Sequence, residues 1–285
     1  MPSIYILLPV HNRKEITRGF VECLKEQTFL DYHLVLIDDG STDGTADMVL
    51  ESIVGTTVLS GKGNWWWAGS LQRGLNWLKE NVKNENALIL FINDDLHFPP
   101  DYLERAIHVM ENKTGTLMLS RYKSADTGYV TESGVTANLK KLTFKEADSA
   151  EEINCLSTRG LFVHWSDIKV NGDFHPRMLP HYFSDYEYTM RAYRRGFKCE
   201  TSSELTIEEN IKTTGFRVIR ERNFKKFLTK YFSIKSPSNP IYFSSFVLLT
   251  CSPFWSVVNL MRIWRGAVKN IASALITASK SCWRQ

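Results

Sequence analysis

The chain has 285 residues, of which 43% are hydrophobic and 23% charged, a globular balance that excludes a disordered or fibrous protein. Its net charge of +4 hides an asymmetry: residues 211–285 carry 13 Lys/Arg against a single acid, Glu221, while the first 210 carry 22 basic and 30 acidic residues. The five cysteines stand singly, without CxxC or Cys/His spacing, which excludes a zinc ribbon and fits reduced thiols in a cytosolic protein.

In chain order, short apolar runs alternate with helical periodicity. Strands are predicted at Ile4–Val10, His33–Asp38, Thr57–Leu59 and Ala87–Ile92, and helices at Glu15–Glu26, Asp43–Ser52 and Ala68–Asn81. That alternation predicts βαβ units and a mostly parallel sheet flanked by helices. Pro99-Pro100 opens a helix over Asp101–Asn112, and Thr116–Ser120 returns as a strand. Residues 121–159 are polar with strand-like pieces, Leu161–Trp165 is apolar again, and Ser184–Arg195 reads as a helix stopped by Gly196. The chain opens directly into a buried-strand run with no basic leader before it, so the catalytic part is expected in the cytoplasm.

Beyond residue 210 the character changes. Phe216–Phe232 is basic and amphipathic, and Ile241–Met261 runs 21 residues without a formal charge but is broken by Pro253. A spanning helix needs about 20 predominantly apolar residues, and the Ser, Thr, Asn and Pro content argues against a span. Helices lying on the cytoplasmic leaflet, anchored by Trp264 and Trp283, are expected. The alternative is a helical appendage packed on the body or on a second subunit of a homo-oligomer. Nucleic acid is not expected as a partner, because the basic tail lacks an RNP-like or helix-turn-helix pattern.

Open α/β sheets bind ligands at the carboxyl ends of their strands, and three such ends are unusually polar: Pro9-Val10-His11-Asn12-Arg13, Asp38-Asp39-Gly40-Ser41-Thr42-Asp43, and Asn93-Asp94-Asp95. Asp38-Asp39 also suits a turn. Asp94-Asp95 has no glycine after it to make one, and paired hard oxygens suit Mg²⁺ or Mn²⁺ held together with substrate phosphates.

Taken together and in this order, these segments resemble the inverting glycosyltransferases of family 2, which have the GT-A fold. Gly63-Asn64-Trp65-Trp66-Trp67-Ala68-Gly69 resembles the segment before that family's donor-site helix, Gly172-Asp173-Phe174 its Gly-Gly-Phe-Asp turn, and Ser184–Arg191 its Glu-Asp-x-Asp-x-x-x-Arg helix. The resemblance covers about residues 3–200. It implies a catalytic domain over residues 1–210, its first half binding the nucleotide sugar and its second half the acceptor, followed by a basic helical region over 211–285. It further implies that Pro9, His11 and Asp38-Asp39 line the nucleotide pocket, that Asp94 lies near the ribose, that Asp95 holds Mn²⁺ or Mg²⁺ on the donor diphosphate, and that Asp185 is the general base. Arg73 is placed within reach of the diphosphate or on a solvated helix face. Trp66 and His181 are assigned to the acceptor side, with core packing as the alternative for the tryptophans.

Three departures from the family pattern stand out. Ser184 replaces the acid before the base, and Glu187 replaces the second Asp, so Glu187 is an acceptor-side residue that competes with Asp185 for the role of base. The family's late metal-binding His is absent from Thr206–Asn210, which leaves Glu208, Glu209 or water to complete the shell; His97 is expected to play a supporting or surface role. The expected reaction is transfer of a sugar from a UDP- or dTDP-linked donor to a glycan acceptor, lipid-linked and bacterial, such as an O-antigen or capsule intermediate, at the inner-leaflet membrane surface. A nucleotidyltransferase and an inactive nucleotide-sugar-binding scaffold are the competing readings.

Overall fold

The computed structural model describes residues 3–124, 130–131, 134–209, 221 and 223–282. The opening strand β1 (Ile4–Val10) is buried along almost its whole length, because helices cover both faces of the sheet around it. Its residues divide by the two-residue strand period. Ile4, Ile6 and Leu8 join a core with Phe20, Val21 and Leu24 of α1 (Lys14–Lys25), while Tyr5 and Leu7 face Leu71, Leu75 and Leu78 of α3 (Trp66–Asn81). Around β1 lie β2 (Tyr32–Asp38), β3 (Thr57–Ser60) and β4 (Leu88–Phe91), all parallel, with α2 (Thr45–Ser52) between β2 and β3.

The second half of the body is mixed. It contains β5 (Leu96–His97), α4 (Tyr102–Met110), β6 (Thr116–Ser124), β7 (Val130–Thr131), the hairpin β8 (Val135–Asn138)–β9 (Thr143–Glu146), β10 (Leu161–His164), α5 (Trp165–Asn171), α6 (Ser184–Arg194) and β11 (Lys198–Glu209). The main sheet runs β3-β2-β1-β4-β10-β6-β11-β5, with β7 beside β6. β10 is antiparallel to both neighbours, and β6 and β11 are parallel to one another. Among the nine strands, β1–β4, β6 and β11 run in one direction, so the expected mostly parallel sheet with helices on both faces is the architecture found, that of the GT-A fold. β11 continues through Glu208 and Glu209, which pair in register with His97 and Leu96.

After residue 210 the first part of the predicted basic stretch, residues 216–220 and 222, lies outside the described residues. Its remainder forms α7 (Phe224–Tyr231), capped by the Asn223 side chain, which accepts the Lys226 N–H at 3.0 Å. The charge-free run divides at Cys251-Ser252 into α8 (Pro240–Thr250) and α9 (Pro253–Cys282), as Pro253 dictates by lacking an N–H. One side of these helices is packed on the body: Phe246, Val247 and Ile263 meet Ala137, Leu179 and Met190. Ala267 meets Phe227 and Tyr231 of α7. Among the described residues, no helix is long and apolar enough to cross a membrane.

Candidate active site

The loop after β1 carries Arg13 at the entrance to α1, and the loop after β4 carries Asn93-Asp94-Asp95. Arg13 Nε donates to the Asp94 carboxylate at 3.0 Å, and its Nη2 donates to Asp95 Oδ2 at 3.3 Å. Thr17, one turn into α1, donates its hydroxyl to Asp94 Oδ2 at 2.9 Å. Both carboxylates are buried. Burial raises the Asp94 carboxyl above its ordinary range, and Arg13 and Thr17 oppose that rise. Two adjacent buried acids repel one another, and the guanidinium is what makes them tolerable here. Arg13 stood in the first polar strand end, yet sequence gave it no role; a basic residue there was the only signal.

The second strand end is built differently. Asp38 Oδ1 accepts the Ser41 N–H at 2.8 Å, closing a turn, and Asp38 is not part of the cavity wall. Asp39 reaches across to the start of α3. Its Oδ1 accepts the N–H groups of Gly63 and Asn64 at 2.9 and 3.1 Å, and its Oδ2 those of Trp65 and Trp66 at 2.8 and 3.1 Å. Four N–H groups fill the acceptor capacity of a carboxylate, and a negative charge at a helix N-terminus is favourable. The approach is tight: a Cβ on Gly61 would lie 2.6 Å from Asp39 Oδ1, and one on Gly40, whose φ is +77°, 2.9 Å from Gly63 N. His11 is fixed against the same turn, its Nδ1 2.8 Å from the Asp39 carbonyl oxygen.

This clamp holds Trp66 at φ +57°, a left-handed conformation that is a genuine outlier for a bulky side chain. Ala68 N–H adds a 3.0 Å bond to the Pro180 carbonyl, tying α3 to the loop before α6. As a result the Trp66 and His181 rings meet edge-on at 6.1 Å. Trp65 instead stacks under Arg73, 5.1 Å from the ring centre, and Trp67 Nε1 donates to Thr158 Oγ1 at 3.1 Å. Arg73 is exposed and lies outside the cavity wall.

These groups enclose a cavity of about 420 Å³ at the carboxyl ends of β1, β2 and β4. Arg13 with Asn93-Asp94-Asp95, the Trp66–His181 ring pair, and Pro9, His11 and Asp39 all line it. One residue comes from far away in sequence: Lys235, in the linker between α7 and α8, lies 5.6 Å over the Trp66 ring. No sequence signal placed it there.

The residues present fit a divalent cation of the Mg²⁺ or Mn²⁺ kind, in the sense that Asp94, Asp95 and the Asn93 amide oxygen are hard donors on one wall. Asn93 Oδ1 is buried with no hydrogen-bond partner among the described residues. Those residues contain no cluster of three or more His, Cys, Asp or Glu able to hold a metal alone, so any such ion would draw further ligands from substrate phosphate or water. Glu208, a candidate for completing the shell, is on β11 and ion-paired with Lys123 at 3.4 Å. His97 Nδ1 lies 3.4 Å from Cys23 Sγ, away from the cavity.

Asp185 stands in the first turn of α6, four residues after His181 and outside the cavity lining, with the Ser184 hydroxyl bonded to the His181 carbonyl at 2.8 Å. Removal from water pushes its carboxyl up to about 6, while the Tyr186 N–H, at 3.0 Å, and the Arg159 guanidinium pull the other way. Burial and the Lys235 charge lower the His181 imidazole, which is therefore neutral at pH 7. Glu187 is buried and held by Arg191 through a fork of 2.8 and 3.1 Å. The same guanidinium donates to the carbonyls of Asn171 and Asp173. Glu187 thus fastens the Gly172-Asp173 turn to α6 and stands apart from the cavity.

The comparisons with known proteins agree with this fold. S. aureus TarS is similar in fold, with a TM-score of 0.62 and 16% identity over 96% of this chain, which spans only 55% of that protein. A 1–349 fragment of TarS in complex with UDP-GlcNAc gives a TM-score of 0.59 and 17% identity, covering 100% of this chain and 93% of that one. The mannosyltransferase PcManGT from Pyrobaculum calidifontis, in complex with GDP-Man and Mn2+, gives 0.57 and 13% identity, covering 100% and 88%. No curated protein sequence matches the chain. The Glycosyl transferase family 2 sequence family matches residues 5–197, a span that includes Asp38, Asp39, Asp94, Asp95, Asp185 and Glu187, and the chain belongs to that family.

Proposed function

We propose that the protein transfers a sugar, with inversion, from a nucleoside-diphosphate donor to a hydroxyl of a glycan acceptor. The observation that carries this reading is a single cavity lined by Arg13, Asp94 and Asp95 and by Trp66 and His181, with Asp185, a carboxyl of raised pKa, on the helix that follows His181. The bound donors named for the fold neighbours, UDP-GlcNAc and GDP-Man, support a nucleotide sugar; UDP- and dTDP-sugars are the donors we favour.

The division of labour follows from charge. Three carboxylates, Asp39, Asp94 and Asp95, line the cavity against two cations, Arg13 and Lys235, so its wall is formally one unit negative and repels a diphosphate. A divalent ion held by Asp95 and Asp94 would reverse that sign and, when bound, supplies Lewis-acid stabilisation of the departing diphosphate. Asp94 would then lie near the ribose, and Arg13, displaced from one carboxylate, is long enough to pair with a phosphate. Pro9 and His11, also in the lining, would meet the nucleotide. Asp185, ionised above pH 6, accepts the proton of the acceptor hydroxyl as its oxygen attacks the anomeric carbon opposite the leaving group. Trp66 offers an aromatic face to a sugar, and His181 a ring nitrogen, Nδ1, without a partner among the described residues.

The test is ligand-dependent melting with Mn²⁺. A nucleoside diphosphate at a hundred times its Kd stabilises by about 2.7 kcal/mol, so UDP, dTDP or GDP with Mn²⁺ should raise Tm by several degrees, and EDTA should cancel most of the shift. Turnover of the matching sugar nucleotide should release nucleoside diphosphate rather than pyrophosphate. A protein that shows no metal-dependent shift with any of the three, and no turnover, is not this enzyme.

We further infer that residues 211–285 seat the enzyme on the anionic inner leaflet, where a lipid-linked acceptor such as an O-antigen or capsule intermediate would be presented to a cytoplasmic catalytic domain. The support is on α9. Phe254, Val257, Met261, Trp264 and Val268 form an exposed apolar stripe at three- and four-residue spacing, continued two turns on by Leu275 and flanked by Arg265 and Lys269, with no acidic residue in the helix. Such a helix lies in a bilayer interface with its basic side chains at the headgroups. Wild type should sediment with vesicles containing phosphatidylglycerol and much less with phosphatidylcholine vesicles. The exposed double variant M261E/V268E should keep its Tm and lose binding. Concentration-dependent dimerisation abolished by the same variant, with no vesicle binding, would assign the stripe to a second copy instead.

A further inference from the structure

Several lysines have a carboxylate partner: Lys79 pairs with Asp173, Lys113 with Glu200, Lys169 with Glu85 and Lys230 with Glu221. Lys235 has none among the described residues. Its ammonium lies over the face of Trp66, in the wall of the donor cavity, next to the buried ring of His181. A cation set beside two uncharged rings, facing a cavity, is placed for an anion that arrives from outside.

The backbone that carries Lys235 is fixed. Asn239 is almost fully buried and donates from Nδ2 to the carbonyls of Phe232 and Ser233 at 2.9 and 3.1 Å, while its Oδ1 accepts the Ile241 N–H at 3.0 Å. Between those bonds the chain makes two consecutive turns, Ser236 N–H to the Ser233 carbonyl and Asn239 N–H to the Ser236 carbonyl, both at 3.1 Å. One buried amide thus staples the whole Ser233–Asn239 linker, and α8 behind it is packed on the catalytic body. A site held by such packing is preorganised in the sense that catalysis requires. The strained Trp66 backbone adds to the point, because it presents the indole to Lys235 and is maintained by the Asp39 clamp on the other side.

We propose that Lys235, supplied by the region after residue 210, is a catalytic cation that binds the diphosphate of the donor and stabilises the nucleoside diphosphate as it leaves. The inference rests on the donor reading above. As the acceptor oxygen bonds to the anomeric carbon, the bond from that carbon to the β-phosphate oxygen breaks, and its electron pair stays on that oxygen. The acceptor proton goes to Asp185. Negative charge therefore grows on the phosphate, in a cavity whose lining includes both Lys235 and Arg13, and a neutral His181 adds no competing charge. The C-terminal region is on this account part of the catalytic unit, and the sequence boundary at residue 210 does not divide chemistry from attachment.

The experiment compares wild type, K235M and K235R, using whichever of UDP, dTDP and GDP stabilises the wild type in Mn²⁺, together with its monophosphate. Lys235 is exposed on its outer side, so the unliganded Tm should not move. K235M should lose about ten- to a hundredfold in diphosphate affinity, the size expected for one charged hydrogen bond, and little for the monophosphate. Its kcat should fall about a hundredfold, as when one donor to a developing oxyanion is removed, with partial rescue in K235R. A K235M protein that keeps the diphosphate preference and turns over within threefold of wild type overturns the role of Lys235 and leaves the donor reading intact. Failure of the wild type to bind any of the three diphosphates defeats that reading and this inference with it.

Discussion

Asp185→Asn will abolish most transfer activity and at the same time make the protein more stable at neutral pH. The rate loss follows from removing the base, a contribution of about 10²–10⁴-fold. The stability gain follows from the raised carboxyl. With a folded pKa of about 6 against 3.8 in the unfolded chain, the native state binds the proton more tightly, so native stability declines as pH rises from about 4 to about 6 and stays reduced above that. Two pH units correspond to roughly 3 kcal/mol at most, and asparagine avoids that cost while its Oδ1 can keep the Tyr186 N–H. Melting curves of the two proteins should therefore coincide near pH 4 and separate by pH 8, with the variant higher. Wild-type kcat should climb through pH 6 and then level. If the variant retains activity within threefold, the base lies elsewhere. His181 is then the nearest candidate, since Glu187 is consumed by Arg191.

The contrast between Asp185 and Glu187 shows what sequence could and could not reveal. Both sit in the first turn of α6 and both match a family position, and only the fold shows that one is bound in a fork to Arg191 while the other's carboxyl accepts the N–H of its neighbour Tyr186. Local pattern was sufficient wherever the determinant was local. The unbroken apolar run of β1 gave its limits as Ile4–Val10, and Pro253 gave the break between α8 and α9. Helix starts drifted by one or two residues, as in α2, where Asp43 is spent on capping: its Oδ1 takes the Thr45 N–H at 3.1 Å, so the helix begins at Thr45. What sequence missed is what depends on distant partners. The antiparallel insertion of β10 between β4 and β6, the pairing of Arg13 with acids about eighty residues on, and the arrival of Lys235 at Trp66 all depend on tertiary packing. No propensity or spacing encodes them.

Asp39 is the sharpest of these cases, and its substitution has the second large expected effect. Read from sequence it is a nucleotide ligand, so Asp39→Asn would weaken donor binding and leave the unliganded protein unchanged. In the fold its carboxylate is buried and accepts four backbone N–H groups from Gly63 to Trp66. An asparagine oxygen can serve two of them, and the amide NH₂ would then face the other two, donor against donor. Two orphaned buried donors cost about 1–3 kcal/mol each, which for a domain of this size lowers Tm by roughly 5–20 °C. The loss should appear without any nucleotide, and Gly61→Ala should reproduce part of it by pushing on Oδ1 from 2.6 Å. The same clamp fixes the positive-φ backbone of Trp66, so tryptophan fluorescence should shift in Asp39→Asn before the melt begins. An unliganded Tm within 2 °C of wild type, with only nucleotide affinity reduced, would return Asp39 to the role of a base ligand and make the clamp incidental.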